Sequence, residues 1–398
     1  MSGNPNNSLL DFENTAIAFE HRDSKELSKM SWLFELMNRP WIVKMGGSLT
    51  QLGLKLRLPI QGMIKYTIFE QFCGGETLKD CEKSVKHLDK FNVKTILDFG
   101  VEAKDNESDF DQTVVENIQA LKFSAQSNGA IPIISVKVSG LCPFHILEKV
   151  SQGTTLLSSE LEAWERGLAR LDKICGQAAT SKIGIFIDAE ESWVQQAIDD
   201  ATMMMMEKYN QTQVIVYNTF QMYRYDRLAF LKASHEIAIN KGFLLGAKVV
   251  RGAYMEKERD RAAKMGYASP IQPNKASTDK DYDAAIVYCF EHKESIALCL
   301  ASHNQKSTLM LTALIDEKGM SKNDPHLIFC QLYGMGDNLT FNLAKAGYQA
   351  GKYVPYGPVK EVIPYLLRRA QENSSVGNEV SRELSLIRKE IERRKKGQ

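Results

Sequence analysis

Two adjacent arginines near the end of the chain are the residues whose types and spacing point most directly to chemistry. Arg368 and Arg369 follow an apolar run in a segment that we predict to be a helix from about Val359 to Glu372. Pro358 suits the first turn of that helix, since its missing N–H has no intrahelical partner there. Neighbouring guanidinium groups repel each other unless an anion lies between them, and each offers a planar fork of N–H donors. The pair therefore predicts a clamp for a carboxylate or phosphate, with two solvated surface arginines as the alternative.

The elements that position such a clamp begin at Val93, where short β-branched runs start to alternate with amphipathic segments. The predicted strands are 95–102, 131–141, 182–190, 213–221, 243–254, 295–304, 326–336 and 348–357. Eight strand–helix units over roughly 280 residues are typical of a (β/α)₈ barrel of the TIM type in the α/β class. On pattern alone, a doubly wound open sheet is the alternative.

Nearly every predicted strand ends in a polar or charged residue, and barrel enzymes carry their sites at those ends. These residues are Glu102, Lys137, Asp188, Asn218, Gln221, Lys248, Arg251, His303, Asn304, Gln331 and Tyr353. Such a mouth is polar and largely cationic, so it suits an anionic ligand but cannot carry out redox chemistry by itself. No GxGxxG opens a helix and no GxxxxGK[ST] occurs, so the usual dinucleotide phosphate loop is not predicted. No HExxH motif suggests a catalytic metal.

The bulk composition limits the class of protein. The chain has 398 residues, 43% of them hydrophobic, and a formal net charge of +1, which gives no overall attraction to nucleic acid. Seven scattered cysteines without a CxxC pair argue against a disulfide framework or structural zinc, and favour a reducing compartment. No apolar run approaches the roughly 18–20 residues that span a bilayer. The first residues have no apolar core of a secretory signal and are not typical of a transit peptide.

The same patterns predict three parts of the chain. Residues 1–92 are predicted to form a helical arm, 93–375 the barrel with the catalytic site, and 376–398 an amphipathic helix with a basic end. In the last segment, an apolar face of Val380, Leu384, Ile387 and Ile391 precedes four basic residues. We expect this helix to pack on the domain, with contact to an anionic membrane surface as the alternative.

Two separated segments carry a family resemblance. YGPVKEVIPYLLRRAQEN (356–373) and GAKVVRGAYMEKER (246–259) resemble the two signatures of the proline dehydrogenase (proline oxidase) family, monofunctional type, and the likeness extends over most of the chain from about residue 93. The resemblance implies a barrel that holds FAD non-covalently in its mouth. It also implies oxidation of L-proline to Δ1-pyrroline-5-carboxylate by hydride transfer to the flavin, as the first step of proline catabolism, with electrons passing to membrane quinone.

The resemblance also implies roles for individual residues around the flavin. Lys248 stands where many bacterial members carry an arginine, and it keeps a cation near the reactive edge of the flavin. The implied cofactor-binding residues are Asn218, Lys248, Arg251, Gly252, Ala253, Tyr254, Thr278, Asp279, His303, Asn304, Gln331 and Glu372.

A second implied set surrounds the substrate. Arg368 and Arg369 would clamp the proline carboxylate, with Lys137 as a third positive charge. Asp188 would tie the network together, and Glu102 would pair with Arg368 as a gate. Tyr365 and Glu372, on the same helix as the arginines, would support the residues that contact the substrate. The residues that would form a wall against the proline ring are Tyr254, Leu332 and Tyr353.

Several alternatives stay open. The sister activity on 4-hydroxyproline is the nearest, although hydroxyproline-specific relatives carry a smaller residue at the position resembling Tyr353. A barrel lyase or aldolase would use Lys137 or Lys248 as a Schiff-base amine, and a non-enzymatic barrel would serve as a ligand sensor. The electron acceptor and the oligomeric state also stay open. We expect a cytoplasmic protein, at most peripheral on the inner membrane, or one on the matrix side of a mitochondrion.

Overall fold

The structure is a computed structural model that describes residues 10–39, 41, 45, 61–100, 106–375 and 377–397, with the backbone alone at 61, 63, 368–375 and 377–379. Its centre is a closed barrel of eight parallel strands in chain order. The strands are β1 (Val93–Phe99), β2 (Ile133–Val136), β3 (Gly184–Ile187), β4 (Val216–Gln221), β5 (Leu245–Val250), β6 (Ile296–Ala301), β7 (Leu327–Leu332) and β8 (Ala350–Tyr356). The predicted (β/α)₈ barrel is confirmed, and the open sheet is excluded.

The barrel closes where its first strand pairs with its last. Seven residue pairs join β1 to β8, from Val93 opposite Ala350 to Phe99 opposite Tyr356. The strands are apolar runs because both of their faces are buried. The inside is filled by the apolar residues Ile96, Ile133, Phe186, Tyr217, Ala297, Cys299, Ile328 and Cys330. A larger apolar cluster lies outside, between the strands and the helices.

Helices form the outer layer and also flank the barrel in sequence. Before β1 lie α1 (Thr15–Ala18), α2 (Ser24–Met37), α3 (Gln61–Ile64), a π-helix (Lys65–Phe69), α4 (Glu70–Phe72) and α5 (Leu78–Asp89). After β1 come α6 (Glu107–Ala125), a 3₁₀ turn (Val138–Gly140), α7 (Phe144–Ser151), α8 (Ser158–Ser181), α9 (Ser192–Tyr209), α10 (Arg227–Lys241), α11 (Met255–Met265), α12 (Lys275–Glu291), α13 (Gln305–Glu317), α14 (Asp337–Lys345), α15 (Val359–Ser375) and α16 (Gly377–Lys395).

Every predicted strand range overlaps an observed strand, but every range except that of β4 runs past the observed C-terminal end of its strand. The strand β1 stops at Phe99 rather than at residue 102, and β2 gives way to the 3₁₀ turn. The apolar pattern does not mark where backbone pairing stops, so the error falls at the ends. The helix α15 begins at Val359, directly after the Gly357-Pro358 turn, as predicted.

The two ends of the chain meet in a separate apolar cluster beside the barrel. It combines residues of α2, α15 and α16, among them Phe34, Val362 and Leu384. On α16, Val380 and Ile387 are fully buried there, so the apolar face of that helix packs on the domain. In the described part of the chain, no helix is long and apolar enough to cross a membrane. The division into three domains stays a prediction.

Candidate active site

Side chains alternate between the two faces of a strand, and this alternation collects a group of charged residues inside the C-terminal end of the barrel. The group contains Asp98 of β1, Lys137 just after β2, Asp188 just after β3, Lys248 of β5 and Tyr353 of β8, and we call it the inner cluster. Five different strands therefore supply one compact network of hydrogen bonds and ion pairs.

Asp188 is the centre of the inner cluster. Its Oδ1 lies 2.5 Å from Lys248 Nζ, and its Oδ2 accepts a hydrogen bond from the Tyr353 hydroxyl at 2.6 Å. Lys137 Nζ lies 3.5 Å from the same Oδ2. Burial alone would raise the pKa of Asp188, but the two ammonium groups and the hydrogen bonds outweigh it and lower the pKa to about 2. Asp188 is therefore a fixed anion.

Asp98 belongs to the same network, but it is not among the site residues predicted from the sequence. Its Oδ1 lies 3.5 Å from Lys137 Nζ, so Lys137 sits between two carboxylates. Burial raises the pKa of Asp98, and the neighbouring charge of Asp188 adds to that effect. Because the predicted first strand ran to residue 102, the polar strand end was assigned to Glu102. A signal was present, since Asp98 is two positions after the inward-facing Ile96.

The hydroxyl and the ring of Tyr353 make separate contacts in the inner cluster. Its hydroxyl contacts Asp188 and also lies 2.8 Å from Ser135 Oγ. Burial and the nearby carboxylates raise the pKa of Tyr353 well above its ordinary value, so the phenol keeps its proton and remains a donor. Lys248 Nζ lies 5.3 Å from the centre of the Tyr353 ring and 5.0 Å from that of Phe186. This cation–π contact fixes the plane of the ring.

The wall between β5 and β6 is built around Arg251. Its guanidinium donates to Asp279 Oδ1 at 2.7 Å, to Ser302 Oγ at 2.8 Å and to Ser307 Oγ at 3.0 Å. It also lies 4.1 Å from the centre of the Tyr282 ring. The structure thus brings together two predicted cofactor residues, Arg251 and Asp279, and Thr278 directly precedes Asp279 in α12. The arginine is a positive charge held in one orientation.

The loop after β5 follows the same wall. Gly252 has φ +137°, and a Cβ there would lie 2.5 Å from the Tyr223 ring, so only glycine fits. The backbone N–H of Ala253 donates to Gln221 Oε1 at 3.2 Å, and Tyr254 stands just before α11. Gln221 therefore faces the site and shapes this loop.

His303 and Asn304 follow β6. The N–H of Leu332 donates to His303 Nε2 at 3.3 Å, so the neutral ring carries its proton on Nδ1. Asn304 Oδ1 accepts from the Ser307 N–H at 3.1 Å and caps α13. The structure thus places His303 beside the predicted substrate wall residue Leu332, and it gives Asn304 a capping role.

Two predicted cofactor residues are placed elsewhere. Asn218 donates to Asp199 Oδ1 at 2.8 Å in the helix layer, and Gln331 donates to the Ser302 carbonyl at 3.1 Å and accepts from Thr340. Both side chains are on the outer face of their strands, because the prediction used the distance to the strand end and not the face. Their role as cofactor-binding residues stays a prediction.

The predicted carboxylate clamp is placed only in part. Gly357 has φ +145°, a conformation that favours glycine, and it turns the chain from β8 into α15, whose backbone contains Arg368, Arg369 and Glu372. The side chains of these three residues and all of Glu102 lie outside the described residues, so the clamp and the gate stay predictions. Tyr365 is buried in the apolar cluster of α15 and α16.

Within the described ranges, no group of three or more His, Cys, Asp or Glu side chains is arranged to hold a metal ion. The site instead consists of a buried ion-pair network, a fixed guanidinium and a histidine.

The family model for proline dehydrogenase matches residues 81–382, most of the chain. The chain belongs to the proline dehydrogenase family. The expectation drawn from the two signature segments is confirmed.

Individual relatives agree with this membership. "Proline dehydrogenase 1, mitochondrial" from Dictyostelium discoideum is 33% identical, over 98% of this chain and 76% of the relative. "Hydroxyproline dehydrogenase" from Xenopus laevis is 30% identical, over 94% of this chain and 88% of the relative. A proline dehydrogenase and a hydroxyproline dehydrogenase are thus both similar to this chain across nearly its whole length.

A solved structure gives the same fold. Proline utilization A (PutA) from Bdellovibrio bacteriovorus superposes with a TM-score of 0.70 over 94% of this chain, at 18% identity. This chain spans about 40% of the length of that PutA chain. At this identity the likeness shows the barrel fold alone.

Proposed function

We propose that this chain is an FAD-dependent proline dehydrogenase that oxidises L-proline to Δ1-pyrroline-5-carboxylate in proline catabolism. The observation that carries the proposal is the inner cluster, in which Asp188 holds Lys248 and Tyr353 at the mouth of a proline dehydrogenase family barrel. Positioning and electrostatics supply most of the catalysis in such a site.

The wall between β5 and β6 fits an anionic cofactor such as FAD. Arg251 presents a fixed positive charge, and donors of this kind suit a diphosphate. The residues that would hold the group are Lys248, Arg251, Gly252, Ala253 and His303. When bound, FAD supplies the acceptor for the hydride that leaves the ring carbon next to the proline nitrogen.

The inner cluster would prepare the substrate. Asp188, kept ionised, fixes Tyr353 through its hydroxyl, so the phenol ring stands as a rigid wall for the proline ring. Arg368 and Arg369 would bind the carboxylate. If proline binds with a neutral amine, no protein residue has to remove a proton, and the site has only to orient the ring and exclude water.

The Schiff-base alternative has less support. The ammonium groups of Lys137 and Lys248 both lie in ion pairs with Asp188. This arrangement suits charge stabilisation more than attack on a carbonyl.

The visible spectrum of the purified protein tests the proposal. We expect flavin absorbance that bleaches when L-proline is added without oxygen, and no bleaching with D-proline as the control. A protein that binds no added FAD, or a flavin that proline does not reduce, would contradict the proposal and favour the lyase or the sensor.

Hydroxyproline oxidation is the second candidate, because a hydroxyproline dehydrogenase is similar over 94% of this chain. Tyr353 favours proline, since a phenol against the ring leaves no partner for a 4-hydroxyl group. Steady-state kinetics with both substrates decide between them.

We also propose a membrane quinone as the electron acceptor and a mitochondrial location, the latter because relatives such as the one from Dictyostelium are named as mitochondrial.

The basic end of α16 would contact a membrane mainly through its last two lysines. Arg393 and Arg394 bind Glu390, whereas Lys395 and Lys396 are exposed. We expect Lys395→Gln with Lys396→Gln to lower activity with quinone in anionic vesicles, at roughly 1 kcal/mol per charge, and to spare activity with a soluble dye. Equal losses with both acceptors would count against membrane contact.

A further inference from the structure

The loop of residues 333–336, between β7 and α14, is held from outside the barrel. Its Gly336 N–H donates to Glu383 Oε2 at 3.1 Å, and Gln71 donates to the Gly334 carbonyl at 2.7 Å. Lys352, on the outer face of β8, donates to the Met335 carbonyl. Elements from before and after the barrel therefore both fix a loop that begins right after Leu332.

The inner side of this loop contacts His303. Gly336 has φ +62°, and a Cβ built on it would lie 2.6 Å from His303 Nδ1. The other ring nitrogen accepts from the N–H of Leu332, the last residue of β7. The strand therefore holds one ring nitrogen and the loop packs beside the other, so a shift of the loop would loosen the packing around the imidazole.

Glu383 is an unusual partner for such a loop, because it is a carboxyl group that is almost completely buried. It belongs to what we call the outer cluster, with His21, Arg22, Asp337 and Lys352. Asp337 pairs with Lys352 at 2.8 Å and with His21 at 3.2 Å, whereas Glu383 has no ion pair in the described part of the chain. Burial and the charge of Asp337 raise the pKa of Glu383 to about 7, with Lys352 opposing. Its one hydrogen bond in the described ranges goes to Gly336.

A second buried glutamate on α16, Glu390, anchors the helix without contacting the loop. The anchoring of α16 and the contact with the loop are therefore made by different residues. Glu390 binds Arg393 and Arg394, and Arg394 donates to the carbonyls of Phe19 and Arg22. Glu390 therefore anchors α16 to the N-terminal segment and does not touch the loop at 333–336. Glu383 lies one residue beyond the stretch matched by the family model.

We propose that Glu383 is a positioning residue that fixes the loop of residues 333–336 against His303 through the Gly336 amide, and thereby sets the affinity of the site for flavin. The flavin part rests on the proposed function. The hold on the loop does not, so the two parts are measured separately.

The experiment compares Glu383→Ala, Glu383→Gln and the matched control Glu390→Gln. Hydrogen exchange at the Gly336 amide is measured in the flavin-free protein, and the FAD dissociation constant by fluorescence quenching. We expect Glu383→Ala to speed exchange and to weaken FAD binding, each about tenfold, because a buried donor loses its acceptor. Glu383→Gln keeps an acceptor oxygen and should stay within about twofold of the wild type. Glu390→Gln should lower the Tm and leave both readouts unchanged.

Unchanged Gly336 exchange in Glu383→Ala would overturn the proposal, as would equal effects of Glu383→Ala and Glu390→Gln, which would mean that Glu383 only docks α16. Faster exchange with unchanged FAD affinity would overturn the flavin part. A wild type that binds no FAD would defeat the proposed function, while the exchange comparison would still decide the role of Glu383. If Glu383→Ala does not fold, Glu383→Asp, one methylene shorter, replaces it with the same expected direction.

Discussion

The inner and outer clusters contain the same ion pair, a lysine with an aspartate, on opposite faces of the barrel wall. Two consecutive residues of β8 contribute to the two clusters. The side chain of Tyr353 faces inward to Asp188, and that of Lys352 faces outward to Asp337. The side chains of Lys352 and Asp337 are 1% and 2% exposed, whereas that of Asp188 is 13% exposed. The same chemistry thus stabilises the fold where helices seal it, and prepares a site where one side is left open to a ligand.

Removal of the lysine from each cluster should have the largest effect. Lys352→Met leaves Asp337 charged and buried, so we expect a loss of about 3–5 kcal/mol in the free energy of unfolding. Lys248→Met should cost clearly less, because Lys137 and Tyr353 still contact Asp188, but it should lower turnover of proline. Urea unfolding and steady-state kinetics measure the two effects, with the exposed Lys345→Met as the control. Equal losses of stability would remove the distinction between the clusters.

The second prediction concerns the ligand side of the comparison, where the carboxylate clamp is proposed. Arg368→Met or Arg369→Met should weaken proline binding by about 2–5 kcal/mol, with flavin content near that of the wild type, because each variant removes one of the two proposed charge-assisted contacts to the carboxylate. Proline titration of the holoenzyme measures it. Loss of FAD with unchanged proline affinity in the remaining holoenzyme would identify structural arginines instead.

The third prediction separates the ring of Tyr353 from its hydroxyl. We expect the wild type to prefer proline over trans-4-hydroxyproline by about 1–3 kcal/mol in kcat/KM. Tyr353→Ser should lower the rate with proline and narrow this preference. Tyr353→Phe should keep the preference, since the ring remains, and lose only the hydrogen bonds of the hydroxyl to Asp188 and Ser135. A serine variant with unchanged selectivity would show that Tyr353 does not distinguish proline from trans-4-hydroxyproline.

The smallest expected effect is the pH dependence of the outer cluster. The pKa of Glu383 is raised from 4.5 to about 7 in the folded state. Its contribution to stability is therefore complete below pH 4.5 and is lost as the pH rises through about 7. Glu383→Gln removes this titration, so the variant should gain about 1–2 kcal/mol relative to the wild type between pH 6 and pH 8. Parallel stability curves for the two proteins would contradict the assignment.

The sequence predicted the barrel well, because each strand is an apolar run with a polar end and a Gly-Pro turn marks the start of α15. It did not predict which face a polar residue takes. The side chains of Asn218 and Gln331, near the ends of their strands, face outward. Asp98 is not among the predicted residues because the predicted first strand ends at residue 102, three residues beyond the observed end of β1.

The outer cluster could not be predicted at all. Its members come from four separate segments of the chain and are His21, Arg22, Asp337, Lys352 and Glu383. No local periodicity encodes such pairs, and the pattern around Lys352 predicts a strand without showing the partner of the lysine. Only the closed barrel brings these residues together.

The seam between β1 and β8 has a consequence for the biosynthesis of the chain. Roughly 250 residues separate the two strands, and a ribosome adds about 5–20 residues per second. For on the order of tens of seconds, β1 exists without its partner on that side. Its free N–H and C=O groups then form an edge to which other chains can add a strand. The nascent protein therefore carries its greatest risk of aggregation at its earliest strand, and that risk ends only when the last strand has left the ribosome.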